Sequence, residues 1–205
     1  MTGDAKRELR RAGRERRADR SREDLERAGD AIAGHAESVA GDTVALYAGV
    51  ETDPPTLRLV DRLLQRGTRI LLPILRSDMD LEWAPVESVA ELVKSPYGLL
   101  EPARPSRGTQ GICKADVILA PGLAVDVSGV RLGQGGGCYD RALTRVSAPV
   151  YVVVFDDEIV DWLPSESHDR PVDGTLTPSG GIARLRGARP GGAASGYDPT
   201  PNTTQ

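Results

Sequence analysis

The chain has 205 residues, a length typical of one domain with a substantial core, and its formal net charge of −4 argues against general nucleic-acid binding. Two cysteines are too few for a disulfide framework or a cysteine zinc site, which fits a reducing compartment. No apolar run approaches the length of a membrane span, and no signal peptide is evident at the start. We therefore expect a cytoplasmic protein without a membrane partner.

Charged residues dominate the first forty positions. The pattern predicts two helices within residues 5–40, one over 5–17 and one over 22–40, the second beginning at a capping-box-like sequence, residues 21–24. The first helix has little apolar surface, so a solvated charged helix is the simpler interpretation. Lys6 and Arg10 nevertheless share one face of that helix and could reach a phosphate or carboxylate together.

Strand and helix patterns then alternate along the chain. A strand at 43–48, a helix at 56–65 and a strand at 69–75 predict a right-handed crossover between parallel strands. Glu51 follows the first of these strands and so falls at the carboxyl edge, where open α/β sheets bind ligands. An acidic residue before a helix start is also favoured by the helix dipole, so this position alone leaves both interpretations open.

The remaining patterns complete a single domain. They predict an edge strand at 79–85, a short helix at 87–94 and buried strands at 116–120 and 150–155. Another short helix at 159–163 and a last strand near Thr175 follow. The sum predicts an α/β fold with three α/β/α layers and a mainly parallel central sheet, in one domain over residues 1–186. Gly, Pro, Ala, Ser and Thr dominate residues 187–205, which predicts a disordered tail.

A glycine-rich loop stands between the two buried strands. Four of the five residues from Gly133 to Gly137 are glycine, and Arg131 and Arg141 flank them. Glycines let bare backbone N–H groups converge on an anion, and a following helix start adds partial positive charge. The loop lacks the Gly-Lys-Ser/Thr ending of a Walker A loop, and Cys138 stands where the dinucleotide fingerprint needs a small residue. The context favours an anion-binding loop over a flexible linker.

The glycine loop and its flanks resemble the signature of the 5-formyltetrahydrofolate cyclo-ligase family. The signature covers residues 117–126 and 129–141, and similarity continues in the family's order at 6–10, Glu51, 72–73, 97–102 and 168–173. The likeness spans about residues 5–178. One departure is Cys138, because the family commonly has an aromatic residue there; a packing role would tolerate the smaller side chain, whereas a ligand contact would be weakened.

The resemblance implies an ATP- and Mg²⁺-dependent enzyme that converts 5-formyltetrahydrofolate to 5,10-methenyltetrahydrofolate and releases ADP and phosphate. It implies reduced folate and ATP as small-molecule partners, no nucleic-acid partner, and a monomer or weak dimer. Two alternatives stay open. One is a catalytically weak folate- or nucleotide-binding protein on the same fold, and the other is an RNA-associated protein that uses the arginine-rich first helix.

The resemblance also implies residue roles. The residues implied to be catalytic are Lys6, Arg10 and Arg131. The implied ATP site adds to these three a continuous stretch of the loop: Leu132, Gly133, Gln134, Gly135, Gly136, Gly137, Cys138 and Tyr139. Substrate contacts are implied for Arg10, Leu46, Glu51, Tyr97, Gln134, Gly135, Gly136 and Gly137. The implied Mg²⁺ ligands are Asp140 and Asp173, because two carboxylates with phosphate oxygens and waters suit that hard ion.

Overall fold

A computed structural model describes residues 2–185, so the predicted tail at 187–205 lies outside the described residues. The α-helices of this part are α1 (Thr2–Ala18), α2 (Arg22–Gly34), α3 (Leu57–Gln65) and α4 (Cys138–Leu143). The first six strands are β1 (Thr43–Ala45), β2 (Arg69–Leu75), β3 (Leu81–Val86), β4 (Leu92–Lys94), β5 (Leu100–Pro102) and β6 (Val117–Pro121). They are followed by β7 (Ala124–Asp126), β8 (Arg131–Leu132), β9 (Val150–Val153), β10 (Ile159–Val160), β11 (Gly174–Thr177) and β12 (Gly181–Arg184).

Seven strands form the central sheet in the order β12-β11-β9-β6-β1-β2-β3. The pairs from β11 through β2 are parallel, whereas β3 and β12 add antiparallel edges. The parallel strands β1 and β9 are buried at every position, as expected for strands covered on both faces. Two short sheets, β10-β7-β8 and β4-β5, lie outside the central sheet.

Helical elements cover both faces of the sheet. α2 and α3 close one face over a core that includes Ile32, Leu46 and Leu59. α4 and a 3₁₀ turn at Thr109–Lys114 help to cover the other, where Trp83 and Ile118 are buried. The expected α/β architecture with a mainly parallel sheet is therefore confirmed. The capping box at Ser21 is also present, because its Oγ accepts from the Asp24 N–H and the Asp24 carboxylate accepts from the Ser21 N–H.

Helix α1 docks on the body through charged side chains. Lys6, Arg10, Gly13 and Arg17 follow helical spacing on one face, and we call this set the α1 stripe. Lys6 and Arg17 are buried, and Gly13 sits against Leu123. The simpler interpretation of a merely solvated helix is therefore wrong for this face, because distant acidic residues and carbonyl oxygens supply partners that local pattern does not reveal.

Two predicted short helices are absent from the described part of the chain. At 87–94 the chain forms a 3₁₀ turn, Val89–Glu91, and then β4, which pairs with β5. At 159–163 a 3₁₀ turn, Asp156–Glu158, precedes β10, which pairs in parallel with β7. Pairing with strands elsewhere in the chain overrides the local helical pattern in both places. No helix among residues 2–185 is long and apolar enough to cross a membrane.

Candidate active site

A cavity of about 370 Å³ opens at the carboxyl edge of the parallel strands. Lys6 and Arg10 of the α1 stripe form one side of it together with the glycine loop, and the acidic turn at 166–169 adjoins them. Pro73, Leu75 and Leu99 contribute an apolar wall. Its position agrees with the rule that open α/β sheets bind ligands beyond the carboxyl ends of their strands.

Backbone geometry explains the glycines of the loop. Gly135 and Gly137 have φ of +105° and +67°, a region that other residues rarely adopt. Arg10 Nε donates to the Gly133 carbonyl at 2.9 Å, and Arg141 Nη2 donates to the Gly136 carbonyl at 2.7 Å. Among the described residues, the N–H groups of Gly135 and Gly136 donate no hydrogen bond. The loop thus offers free N–H donors to an anion while arginines hold its carbonyl oxygens.

Arg131 is a fixed cation beneath this loop. Its Nη2 donates to Asp140 Oδ1 at 2.9 Å and its Nη1 to the Pro121 carbonyl at 3.0 Å. The guanidinium also lies 5.8 Å from the centre of the Tyr139 ring, which meets Trp83 edge-on at 6.2 Å. Within residues 2–185, the buried Arg131 Nε and the buried Tyr139 hydroxyl have no hydrogen-bond partner. Two buried donors of lining residues are therefore left without a hydrogen-bond partner.

Lys6 is held by two carboxylates on the cavity wall. Its Nζ donates to Glu166 Oε2 at 2.9 Å and to Asp169 Oδ2 at 2.6 Å. Burial lowers the pKa of Lys6, but its hydrogen bonds to Asp169 and Glu166 raise the pKa above its ordinary value. The pKa of Glu166 falls through the bond from Lys6. The sequence predicted no contact of Lys6 with Glu166 or Asp169, because both partners lie over 150 positions from Lys6.

The predicted substrate residues divide into two groups. Tyr97 lines the cavity with half of its surface exposed, and Gln134 lines it while its Oε1 accepts from Arg14 Nη1 at 3.0 Å. Leu46 is instead fully buried in the core against the α2 and α3 side of the sheet. Glu51 is exposed in a turn with φ of +50° and does not line the cavity. The structure therefore does not bring Leu46 and Glu51 to the site.

Neighbours of those two residues line the cavity instead. Tyr47 and Ala48 follow Leu46, and Asp53 lies two positions after Glu51. Arg17 Nη1 donates to Asp53 Oδ1 at 3.0 Å. Burial raises the pKa of Asp53, and the charge of Arg17 only partly opposes the rise. Glu101 is another buried acid in the lining, where it accepts from the Leu75 N–H at 3.1 Å. One local feature could have indicated Asp53: it is an acidic residue two positions after the predicted Glu51.

The two predicted metal ligands lie at opposite ends of the parallel strands, Asp140 near the carboxyl ends and Asp173 near the amino ends. Asp140 lines the cavity, and its Oδ1 accepts from Arg131 whereas its Oδ2 has no partner among residues 2–185. Asp173 precedes β11, and its carboxylate accepts from the Val150 N–H at 2.8 Å where β9 begins. The prediction that Asp173 shares a metal with Asp140 is thus at odds with the structure. Of these two residues, only Asp140 presents an unengaged carboxylate oxygen at the cavity, beside the glycine loop.

Cys138 begins α4 and lines the cavity as a half-buried thiol. Burial raises the pKa of this thiol. The side chain also packs on apolar neighbours around Trp83 and Tyr139. Cys138 therefore packs against apolar neighbours and also lines the cavity. A packing role and a ligand contact are both compatible with this position.

Fold and site together define a class: single-domain α/β proteins with a cavity at the carboxyl edge suited to an anionic ligand. Within this class, a model of the 5-formyltetrahydrofolate cyclo-ligase family matches residues 2–178. The chain belongs to this family.

Individual relatives agree with the match. A 5-formyltetrahydrofolate cyclo-ligase of Mycolicibacterium smegmatis is 43% identical over 155 residues, which cover 72% of this chain and 79% of the relative. One of Escherichia coli is 33% identical over 147 residues, covering 69% and 80%. The solved structure of Aquifex aeolicus 5,10-methenyltetrahydrofolate synthetase superposes with a TM-score of 0.75 at 28% identity, covering 92% of this chain and 96% of that one.

Proposed function

We propose that the protein catalyses the ATP-dependent conversion of 5-formyltetrahydrofolate to 5,10-methenyltetrahydrofolate, with release of ADP and phosphate. The observation that carries this proposal is one cavity with two unlike sides. Free loop N–H groups and the fixed Arg131 suit a triphosphate, whereas Tyr97 and the apolar wall suit a folate ring system. Membership of the family and the names of the relatives supply the reaction.

The proposed reaction proceeds in three steps. The formyl oxygen attacks the γ-phosphorus of ATP and the bond to ADP breaks, which gives a phosphorylated imidate. N10 then adds to the activated carbon and loses its proton. The carbon–oxygen bond finally breaks and phosphate leaves. Because an amide-type carbonyl is a poor electrophile, phosphorylation turns its oxygen into a leaving group, and the protein contributes mainly positioning and charge neutralisation.

We assign the ATP side to the loop and its cations. The N–H groups of Gly135 and Gly136 bind phosphate oxygens, and Arg131, Lys6 and Arg10 offset the developing charge. Asp140 would hold Mg²⁺ together with phosphate oxygens and waters. When bound, that ion neutralises charge on the phosphates and aligns them. Asp173 is not included, because its carboxylate is engaged at the start of β9.

We assign the folate side to Tyr97 and the apolar wall. Tyr97 can stack on a ring of the substrate near the cavity mouth, because it is half exposed and lines the cavity. Leu46 and Glu51 stay outside this assignment, since one is core and the other faces solvent. We retain a monomer or weak dimer as the oligomeric state that the family resemblance implies. Both cysteines are free, in keeping with action in the cytoplasm.

The RNA-associated alternative is disfavoured by the partners of α1. Arg10, Arg14 and Arg17 each bond to groups on the protein body, so they do not form a free basic surface. RNA binding that persisted at moderate salt would restore this alternative.

The deciding experiment mixes purified protein with 5-formyltetrahydrofolate, ATP and Mg²⁺ and records near-ultraviolet absorbance. We expect the absorbance of the methenyl product to develop only when all three components are present. A non-hydrolysable ATP analogue is the matched control and should give no signal. Absence of product, with binding of both ligands still measurable, would contradict the proposal and support the catalytically weak binding protein.

A further inference from the structure

The β4–β5 hairpin forms part of the cavity side that we assign to the folate. Tyr97, Leu99 and Leu100 line the cavity from the tip and the second strand of this hairpin. Two backbone hydrogen bonds close the tip, because the Ser95 N–H donates to the Leu99 carbonyl at 2.8 Å and the Gly98 N–H donates to the Ser95 carbonyl at 2.9 Å. A ring that stacks on Tyr97 therefore meets a hairpin of defined shape.

Lys94 is the last residue of β4 and lies directly opposite Leu100 in the antiparallel pair. Residues that are directly opposite project their side chains from the same face of a hairpin, with Cβ atoms about 5 Å apart. Leu100 lines the cavity, whereas Lys94 is exposed and does not line it. A lysine side chain is long and flexible, so this ammonium group can reach a ligand atom that protrudes beyond the lining.

The charge of Lys94 has no acidic partner within the described part of the chain. The acids that are near it in sequence are engaged elsewhere. Glu91 Oε2 accepts from Arg104 Nε at 2.8 Å, and Glu101 Oε1 accepts from the N–H of Leu75 at 3.1 Å. Lys94 is also the only basic residue between positions 87 and 102. It is therefore an unpaired cation on the folate side, away from the cations that we assign to ATP.

The chemistry of a reduced folate places its acidic end at this hairpin. One end is the ring system with the formyl group, which has to meet the γ-phosphate beside the glycine loop, and the other end is a glutamate with two carboxylates. An orientation with the rings inward directs the glutamate outward past Tyr97. We propose that Lys94 is a specificity-determining residue, whose ammonium group binds the glutamyl carboxylates of the folate at the cavity mouth. This inference rests on the proposed function, because it adds a contact to the substrate named there.

Two ligands that differ only in the glutamate test this contact. One is 5-formyltetrahydrofolate, and the other is 5-formyltetrahydropteroyl amide, in which a plain amide replaces the glutamate and both carboxylates are lost. Lys94→Met removes the charge but keeps an unbranched side chain, Lys94→Glu reverses the charge, and Lys94→Arg is the conservative variant. Lys114→Met is the matched control, because Lys114 is exposed in the 3₁₀ turn at Thr109–Lys114 and its loss changes the net charge equally.

Isothermal titration calorimetry measures the dissociation constants of both ligands. Wild type should bind the folate more tightly than the amide. Lys94→Met should raise the dissociation constant of the folate by about two- to fivefold, as for loss of an exposed ion pair, and Lys94→Glu should raise it further. Neither variant should change the affinity for the amide. Lys94→Arg should stay within about twofold of wild type, and Lys114→Met should match wild type with both ligands.

Steady-state kinetics provide a second readout. In Lys94→Met the KM for the folate should rise, whereas kcat and the KM for ATP should stay at wild-type values. An equal loss of affinity for both ligands would overturn the proposal, because it would indicate a damaged hairpin. Unchanged folate affinity in Lys94→Met would overturn it as well. Failure of the proposed function is distinguishable, since wild type would then form no methenyl product while calorimetry still measured the Lys94 contact.

Discussion

Arg17 and Glu158 form a buried, two-pronged ion pair although they are 141 positions apart. Arg17 Nε and Nη2 donate to the two carboxylate oxygens, each at 2.7 Å, and the residues are 1% and 0% exposed. The same guanidinium also bonds to Asp53 and to the Gly122 carbonyl. Because these partners follow β9, β1 and β6, a single side chain joins α1 to the carboxyl ends of three adjacent strands.

Arg17→Met should be among the most destabilising substitutions in α1. It leaves Glu158 buried without its cation, which costs about 3–5 kcal/mol of unfolding free energy. Chemical denaturation followed by circular dichroism measures the loss. Arg16→Met is the control, because the Arg16 contact with Asp157 is exposed at 3.6 Å and its removal should cost less than about 1 kcal/mol. Equal stability of the two variants would refute the importance of the buried pair.

Asp140→Asn should weaken metal binding in addition to lowering stability. The amide oxygen can still accept from Arg131, but the buried guanidinium loses its carboxylate partner, so some stability should be lost, and the Mg²⁺ concentration needed for half-maximal activity should rise at least about tenfold. Activity titrated against Mg²⁺ at saturating ATP gives the result. Full activity of the variant at limiting Mg²⁺ would remove Asp140 from the metal site.

Asp173→Ala should show the opposite behaviour. Loss of its carboxylate leaves the Val150 N–H without this acceptor and should cost about 1–3 kcal/mol of unfolding free energy. Its Mg²⁺ requirement should equal that of wild type. A raised Mg²⁺ requirement in Asp173→Ala, with stability unchanged, would instead support the ligand role predicted from sequence.

Gly135→Ala should weaken nucleotide binding without removing any side-chain contact. At φ of +105° an alanine is strained by about 1–3 kcal/mol, so the loop must shift and its N–H groups lose their arrangement. ATP affinity from isothermal titration calorimetry should fall by at least about tenfold. Gly34→Ala is the control, because a Cβ there meets nothing within 4 Å at the end of α2. It should bind ATP like wild type.

Asp80 should give the fold a specific acid sensitivity. Arg145 donates to both Asp80 oxygens, at 2.9 and 2.6 Å, and these bonds lower the pKa of Asp80. Because the pKa of Asp80 is lower in the folded state than in the unfolded state, where it is about 4, its ionised form stabilises the fold above a pH of about 4. That contribution disappears as the pH falls through the folded-state pKa. Asp80→Asn should therefore cost about 1 kcal/mol at pH 7 and progressively less below pH of about 4. Thermal melts of Asp80→Asn and wild type from pH 7 to pH of about 3 measure this convergence, and a stability difference that stayed constant over that range would contradict it.

Sequence reasoning located the sheet and the glycine loop because both depend on local pattern. Arg69–Leu75 was predicted with its observed bounds, since a helix ending at Gly67 and a continuous apolar run mark it on both sides. Leu46 and Glu51, which were predicted for the substrate site after β1, do not line the cavity, whereas the nearby Tyr47 and Asp53 do. Successive residues of an extended chain face opposite sides, so an error of one position exchanges the cavity residue Tyr47 for the core residue Leu46. Glu51 lies in a turn with φ of +50°, where no strand period predicts the direction of its side chain. Arg17 and Glu166 were missed because their partners are more than 100 positions away.

The α1 stripe gives this cavity a dependence on its surroundings that an apolar helix would not. The carboxyl end of α1 and the residues just after it also use contacts that ions in solution can weaken, namely those of Arg16 and Arg20 with the exposed Asp157. The Debye length falls from about 10 Å at 0.1 M salt to about 3 Å at 1 M. Added salt should thus weaken the exposed contacts at the carboxyl end of α1, whereas Lys6 and Arg17 keep buried partners that salt screens less. Ionic strength would then act on the attachment of the helix that carries two cavity residues, separately from how strongly the cavity attracts a charged ligand.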